Sequence, residues 1–104
     1  MNVQHKIDFS KLEWESPVDG IRHKYIDQGN KRLRLVEYSK TMHPHWCEKG
    51  HSGYVIDGCM EIEYEKDKII YNQGDGIFIP DGSGHKHRGK ALSEKVLIFF
   101  IENV

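Results

Sequence analysis

Apolar and polar residues alternate along several short runs of the chain, a pattern typical of β-strands with one solvent-exposed face. Residues 32–38 alternate in this way, and in residues 60–65 the apolar side chains share one face while three glutamates share the other. Short apolar runs also occur at residues 54–56, 68–71, 76–79 and 95–101. Glycine, asparagine and aspartate separate the runs. The pattern predicts about seven or eight short strands in an all-β, antiparallel sandwich or barrel.

The start of the chain and its turns are less regular. Phe9 to Glu15 can form a short helix, whereas glycine and proline leave little room for a long one after residue 30. Asp57-Gly58, between two of the runs, favours a tight hairpin or a bulge. A chain of 104 residues holds one hydrophobic core. We therefore expect one barrel domain over residues 31–104, and an irregular or helical segment over residues 1–30 that packs on the barrel or on a partner subunit.

Charge and apolar content exclude some classes of partner. The chain has 15 lysines and arginines against 16 aspartates and glutamates, and it has no long block of one sign. This balance argues against nucleic acid or an anionic membrane as the main partner. The longest apolar run, residues 96–101, is far too short to span a bilayer, and the start lacks the apolar region of a secretion signal. We therefore expect a cytoplasmic protein in which Cys47 and Cys59 are thiols.

Residues 43–51 combine three histidines, one cysteine and one glutamate, which is the richest concentration of metal-binding side chains in the chain. Alternate residues of a strand share a face, so His43, His45 and Cys47 can point the same way if the segment is extended. His51 follows a short turn that can return it toward the same place. Neutral imidazole and thiolate suit zinc, iron, nickel or copper. The segment therefore predicts a site for a divalent transition metal.

A second cluster follows the glycine-rich turn at residues 81–84 and contains His85 and His87, which share one face of a regular strand. His87 is a candidate acid or base in the pocket, or a substitute ligand. Arg88 beside it suits an anionic substrate such as a carboxylate or a sugar acid. Glu37 lies one strand earlier and can face inward, where it would be an additional acid–base group.

These segments resemble the two sequence motifs of the cupins, a superfamily of small jelly-roll β-barrels. The second cupin motif reads G-x5-P-x-G-x2-H-x3-N, and residues 74–89 match it at every position except the last, where Gly89 replaces asparagine. Counting back from Gly58 places His51 where the first motif has its glutamate ligand. The resemblance covers residues 33–101 and implies an antiparallel jelly-roll barrel.

The resemblance also implies a ligand set for the metal. His85 takes the place of the histidine of the second motif, while His45 pairs with either His43 or Cys47 in the first motif, and both alternatives are open. The implied set is then His45, His51, His85 and one of His43 or Cys47. The loss of the carboxylate shifts the preference away from manganese and toward zinc, iron, nickel or copper.

Two functional hypotheses follow, together with the possibility that the altered first motif has lost its metal. In the first, the protein is a metal-dependent enzyme that acts on a small polar or anionic molecule, and the resemblance names no reaction. In the alternative, it is a non-catalytic barrel that binds or senses a small molecule, with or without metal. We also expect a homodimer, because residues 95–101 and the N-terminal residues 3–14 offer an edge that similar barrels pair across a two-fold axis.

Other residues have a plain structural interpretation. His5 and His23 have no surrounding motif and are expected on the surface. Trp46 alternates with His45 and is expected on the opposite face, against the second sheet or a subunit. Aromatic residues within the apolar runs are expected in the core, namely Tyr54, Phe78, Phe99 and Phe100.

Overall fold

The structure is a computed structural model that describes residues 3–104. Within these residues the chain forms nine strands and two short 3₁₀ helices, at Phe9–Lys11 and Ser83–His85. The strands are β1 (Glu15–Val18), β2 (Ile21–Gln28), β3 (Lys31–Ser39), β4 (His51–Asp57), β5 (Cys59–Glu63), β6 (Lys68–Asn72), β7 (Gly76–Ile79), β8 (Arg88–Ala91) and β9 (Lys95–Asn103). No helix in this part of the chain has the length and apolar character needed to cross a membrane.

The strands form two antiparallel sheets that face each other across the core. The larger sheet has the order β1-β2-β3-β9-β4-β7, and the smaller one has the order β6-β5-β8. Side chains from both sheets build one buried cluster, with Val36, Val55, Val96 and Ile98 from the larger sheet and Met60 and Ile62 from the smaller one. Fully burying a side chain of this size stabilises the fold by about 1.5–3 kcal/mol. The predicted all-β jelly-roll barrel is confirmed.

Residues 15–28 extend the larger sheet. β2 pairs with β3 over its whole length, from Ile21 opposite Tyr38 to Gln28 opposite Lys31. This strand could not be recognised from the sequence, because charged and apolar residues of β2 do not alternate cleanly. The preceding residues pack on the outer face of the same sheet, where the ring of Phe9 meets the ring of Phe99 edge-on at 6.1 Å.

Tyr54 and Phe78 lie on the outer face of the larger sheet, not in the core as expected. Their exposed fractions are 52% and 78%, whereas Phe100 is buried. Phe99, also expected in the core, is half-buried and lies on the same outer face. On β7 it is Ile77 and Ile79 that point into the core. Every residue from 77 to 79 is apolar, so alternation along the sequence could not show which face is buried.

The chain passes from the larger to the smaller sheet at Asp57-Gly58. β4 pairs with β7 and β9, while β5 pairs with β6 and β8, so the dipeptide does not close a hairpin. A bulge is present instead, because the register of β4 against β9 shifts between Val55 and Asp57. Gly58 has a φ of +90°, and a Cβ at this position would lie 2.4 Å from the carbonyl oxygen of Lys95. Only glycine fits this crossing without strain.

Candidate functional site

A cavity of about 330 Å³ opens between the inner faces of the two sheets. Its size falls in the range of about 300–1,000 Å³ that is usual for small-molecule sites. Apolar side chains form much of its wall, among them Met60, Ile62, Ile79 and Phe100. Polar side chains also converge into it, among them His23, Arg34, His45, Cys47, His51, His87, Arg88 and Glu102.

Three of these side chains form a group that can hold a metal ion. Cys47, His51 and His87 each bring one ligand atom to within 4.8 Å of the others. A tetrahedral zinc site with bonds of about 2.0–2.3 Å has its donors under about 4 Å apart, so small side-chain movements close the group around an ion. Cys47 and His51 are half-buried and His87 is buried.

The backbone brings the three donors together. Cys47 lies in the segment between β3 and β4, His51 begins β4, and His87 comes directly before β8. The N–H of Cys47 donates to the carbonyl of His87 at 2.8 Å, and the N–H of His87 donates back to the carbonyl of Cys47 at 2.9 Å. The two segments are therefore joined as an antiparallel pair at the level of the donors.

Hydrogen bonds orient both histidine rings. Nδ1 of His87 donates to the carbonyl oxygen of His85 at 3.0 Å, and Nδ1 of His51 is hydrogen-bonded to Oε2 of Glu102. Since a carbonyl or carboxylate oxygen only accepts, the neutral form of each ring has its proton on Nδ1 and its lone pair on Nε2. Metal-binding histidines are usually held in this way. The sulfur of Cys47 in turn accepts from the N–H of Lys49 at 3.4 Å.

The surroundings of the group shift the pKa values of two residues, His87 and Glu102. Burial lowers the pKa of His87, and the neighbouring His51 adds to this effect, while the hydrogen bond with the His85 carbonyl opposes it. Burial raises the pKa of Glu102, but the hydrogen bond with His51 and the charge of Arg34 outweigh it, so the net shift is downward. A neutral His87 and an ionised Glu102 therefore persist at lower pH than usual.

Arg34 connects this group to a further histidine. Its Nη2 donates to Oε2 of Glu102 at 2.9 Å, and its Nη1 lies 3.1 Å from Nδ1 of His23. The Nε of Arg34 is buried and has no hydrogen-bond partner among the described residues. His23, expected on the surface, is half-buried and lines the cavity. Burial lowers its pKa, and the charge of Arg34 lowers it further.

The histidines expected as ligands fall into two sets. His51 belongs to the converging group together with Cys47, and so does His87, which was predicted as an acid or base in the pocket or as a substitute ligand. His45 is exposed but lines the cavity. His43 and His85 are exposed and lie outside the group. His85 is the last residue of a 3₁₀ helix, so its side chain does not follow the alternation of a strand, and it contributes its backbone carbonyl to the site.

The two remaining pocket candidates lie in different places. Arg88 lines the cavity, and its Nε donates to Glu63 at 2.9 Å. Glu37 is absent from the cavity wall; it forms ion pairs with Arg22 at 2.8 Å and with Lys95 at 3.6 Å. The Arg22 hydrogen bond lowers the pKa of Glu37. Adjacent residues of a strand point to opposite faces of the sheet. Val36 is fully buried on the inner face, so Glu37 lies on the outer face.

Arg34 and Glu102 were not found by motif spacing, yet strand periodicity could have found both. On β9 the buried positions are Val96, Ile98 and Phe100, and the same period of two places Glu102 inward. On β3 it is Val36 that fixes the inner face, which Arg34 shares. A charge at an inward position of an otherwise apolar strand is the available signal.

The sequence matches no family model and no curated protein with which it was compared. Solved structures, however, are similar over most of the chain. KdgF from Halomonas sp. has a TM-score of 0.78 and 23% identity, and the match covers 97% of this chain and 94% of that one. An RmlC-like cupin from Shewanella frigidimarina has a TM-score of 0.75 and 14% identity, and the match covers 97% of this chain and 91% of that one. The polyketide cyclase RemF from Streptomyces resistomycificus has a TM-score of 0.75 and 19% identity, and the match covers 97% of this chain and 80% of that one.

At these identities the likeness concerns the fold. The similar structures cover nearly the whole chain and include one described as a cupin. The two facing antiparallel sheets have the architecture that the motif in residues 74–89 implies. The fold of this chain is therefore that of the cupin superfamily.

Proposed function

We propose that this chain is a metal-dependent enzyme that acts on a small anionic molecule in its cavity. The observation that carries the proposal is the convergence of Cys47, His51 and His87 on the inside of that cavity. The similarity in fold to the polyketide cyclase RemF agrees with catalysis on such a barrel, although it names no reaction for this chain.

The donor set suits a soft or borderline metal. One thiolate and two imidazoles favour zinc, iron, nickel or copper over manganese, magnesium or calcium, which prefer oxygen ligands. Three protein ligands leave a fourth position for water or substrate, as in catalytic zinc sites. A bound ion of this kind supplies Lewis acidity to a substrate oxygen. His45 lines the cavity and is the candidate for an additional ligand or for proton transfer.

The charges around the cavity favour an anionic substrate. Basic side chains in the wall are Arg32, Arg34, Lys49 and Arg88, and the single carboxylate there is Glu102. Glu102 is already engaged by Arg34 and His51. Arg32 and Arg88 are also ion-paired, but their partners Asp27 and Glu63 lie outside the wall, so the wall itself carries an excess of basic side chains. Arg88 is held in place by Glu63 and by the ring of Trp46, 4.7 Å from its guanidinium. A carboxylate or phosphate group is the complementary chemistry.

A non-catalytic binding barrel is the alternative, and one observation favours it. Glu102, the single carboxylate in the wall, is fixed by two hydrogen bonds and is not free to act as a general base. Proton transfer would then rest on His45. The two functions differ in whether the metal keeps a position open to an added ligand.

The test begins with protein purified without a histidine tag. We expect about one transition-metal ion per chain by plasma mass spectrometry. Cobalt substitution should give the visible spectrum of a tetrahedral thiolate site, and small carboxylates should change it if a coordination position is open. Carboxylate binding by calorimetry without a spectral change would support the binding barrel. Absence of metal, even after incubation with zinc, iron, nickel and copper, would contradict the proposal.

We also propose that the chain forms a homodimer through the outer face of β4, β7 and β9. Tyr54, Phe78 and Ile101 are exposed there by 52%, 78% and 44%. Phe78 and Ile101 flank Ser52 on either side, so they form a continuous apolar surface. β7 is the edge of its sheet, and a two-fold axis beside it would join this surface to its own copy.

A Phe78→Asp substitution should dissociate this dimer. Wild-type protein is expected to sediment at twice the chain mass of 12.2 kDa, and the variant at the monomer mass. Ile70→Asp is the matched control, because Ile70 is 55% exposed on β6 of the other sheet. A wild-type protein that sediments only as a monomer would refute the proposal.

A further inference from the structure

Glu102 is a carboxylate in a place where the fold by itself favours an apolar side chain. It is 4% exposed, and the inner positions that precede it on β9 are Val96, Ile98 and Phe100. Burying a charge costs several kcal/mol unless it is paired and hydrogen-bonded. A leucine would satisfy packing at this position at lower cost, so the carboxylate calls for a functional explanation.

One oxygen of Glu102 serves two partners. Its Oε2 accepts from Nη2 of Arg34 at 2.9 Å and also accepts from Nδ1 of His51. Arg34 therefore fixes the carboxylate, and the carboxylate fixes the proton of His51 on Nδ1. Without an acceptor at this point, the proton of the neutral ring can lie on Nε2, where it blocks coordination of a metal.

The ring of His51 is restrained from a second side as well. It packs against the ring of Phe100, with centroids 4.6 Å apart and planes tilted by 33°. Glu102 sets which nitrogen faces the cavity, while Phe100 limits the tilt of the ring. The donor set of Cys47, His51 and His87 contains no carboxylate, and the carboxylate of Glu102 lies one hydrogen bond behind it.

We infer that Glu102 is a positioning residue for His51, and that Arg34 holds Glu102 in the required orientation. The inference rests on the proposed metal site, and it adds a carboxylate that acts on the metal through the imidazole. Partners of this kind increase the electron donation of a histidine and fix its tautomer.

The experiment compares Glu102→Gln and Glu102→Ala with the wild type. Zinc affinity is measured by competition with a chromophoric chelator. We expect Glu102→Ala to bind zinc about 10–100-fold more weakly, as is usual when such a partner is lost. Glu102→Gln should lose less, since an amide oxygen can take the place of Oε2 and accept from both partners.

Glu37→Ala is the matched control. Glu37 lies on β3 and also forms an ion pair with an arginine, but on the outer face. Its replacement should leave the zinc affinity within about twofold of the wild type, because no metal ligand contacts it. A general loss of stability from removing a carboxylate would affect both positions, whereas an effect on the site would affect only Glu102.

A second readout needs no metal. Nitrogen-15 chemical shifts of the histidines in the metal-free protein report which ring nitrogen carries the proton. His51 should be protonated on Nδ1 in the wild type and should shift toward the Nε2 form in Glu102→Ala. Glu102→Gln has nearly the same shape and keeps an oxygen that can accept, so its His51 should remain protonated on Nδ1.

The outcomes separate the inference from the proposal on which it rests. If the wild type takes up no metal, the proposed function fails and the inference fails with it. If the wild type binds zinc and Glu102→Ala binds it equally tightly with an unchanged His51 tautomer, the inference alone is overturned. A parallel loss of affinity and Nδ1 protonation in Glu102→Ala supports it.

Discussion

His87→Ala is expected to bind zinc more than about 100-fold more weakly than the wild type, a larger loss than the 10–100-fold usual for a residue that only supports a ligand. His85→Ala, two residues earlier, should change the affinity by less than about threefold. The reason is their placement: His87 is buried in the donor group, whereas His85 is exposed. His85 supports the site through its carbonyl oxygen, which alanine retains.

The measurement is zinc competition on both variants, with metal content per chain as a check. Because the two residues lie in the same short segment, any general loosening of this segment should affect them alike. A variant pair in which His85→Ala loses the metal and His87→Ala keeps it would show that the second cupin motif supplies its usual histidine. The segment after Gly82 would then have to turn His85 inward on binding.

Gly50→Ala should lower the free energy of unfolding by about 1–3 kcal/mol, the usual cost of inserting a methyl group where there is no room. A Cβ at this position would lie 2.3 Å from the carbonyl oxygen of Ile79 and 2.6 Å from the backbone nitrogen of Asp81. These are backbone atoms and cannot move aside cheaply. The N–H of Gly50 also donates to the Asp81 carboxylate at 2.6 Å, so the contact joins the two segments that carry the donors.

Gly84→Ala is the control, because a Cβ at Gly84 meets no atom within 4 Å. Its effect should stay within about 0.5 kcal/mol, as for most surface substitutions. Urea denaturation of both variants, with equal m-values, gives the comparison. Equal stability of the two variants would mean that the segments can separate at Gly50, and zinc affinity would then also be insensitive to the substitution.

Much of the fold could be predicted from the spacing of apolar residues. β5 alternates clearly because Met60 and Ile62 lie on the core while its glutamates lie on the other face. β3 also alternates, but Leu33 and Leu35 share the outer face with Glu37, and the inner face carries Arg34 beside Val36. β2 was missed because its inner face carries His23 beside Ile21, and a histidine in a cavity wall looks like a surface residue in the sequence. Phe78 was placed on the wrong side because both faces of β7 are apolar.

The candidate site could be predicted in part. Motif spacing and the cluster of donors selected Cys47 and His51, which the structure brings together. The face on which His85 lies depends on the 3₁₀ helix that it ends, and alternation does not apply to such a helix. The pairing of Arg34 with Glu102 joins residues 68 positions apart, and only the register of β3 against β9 brings them together.

The reciprocal backbone bonds between Cys47 and His87, at 2.8 and 2.9 Å, have a consequence for adaptability. Main-chain atoms hold the two segments side by side, so an ion that binds at the proposed site would not have to order a loop, and the entropic cost of binding would be confined to side-chain rotamers. These backbone hydrogen bonds do not depend on which side chains occupy the two positions. We therefore expect that Cys47 and His87 can be exchanged for other donors while the two segments stay paired, so two substitutions would change the ion preference of the proposed site.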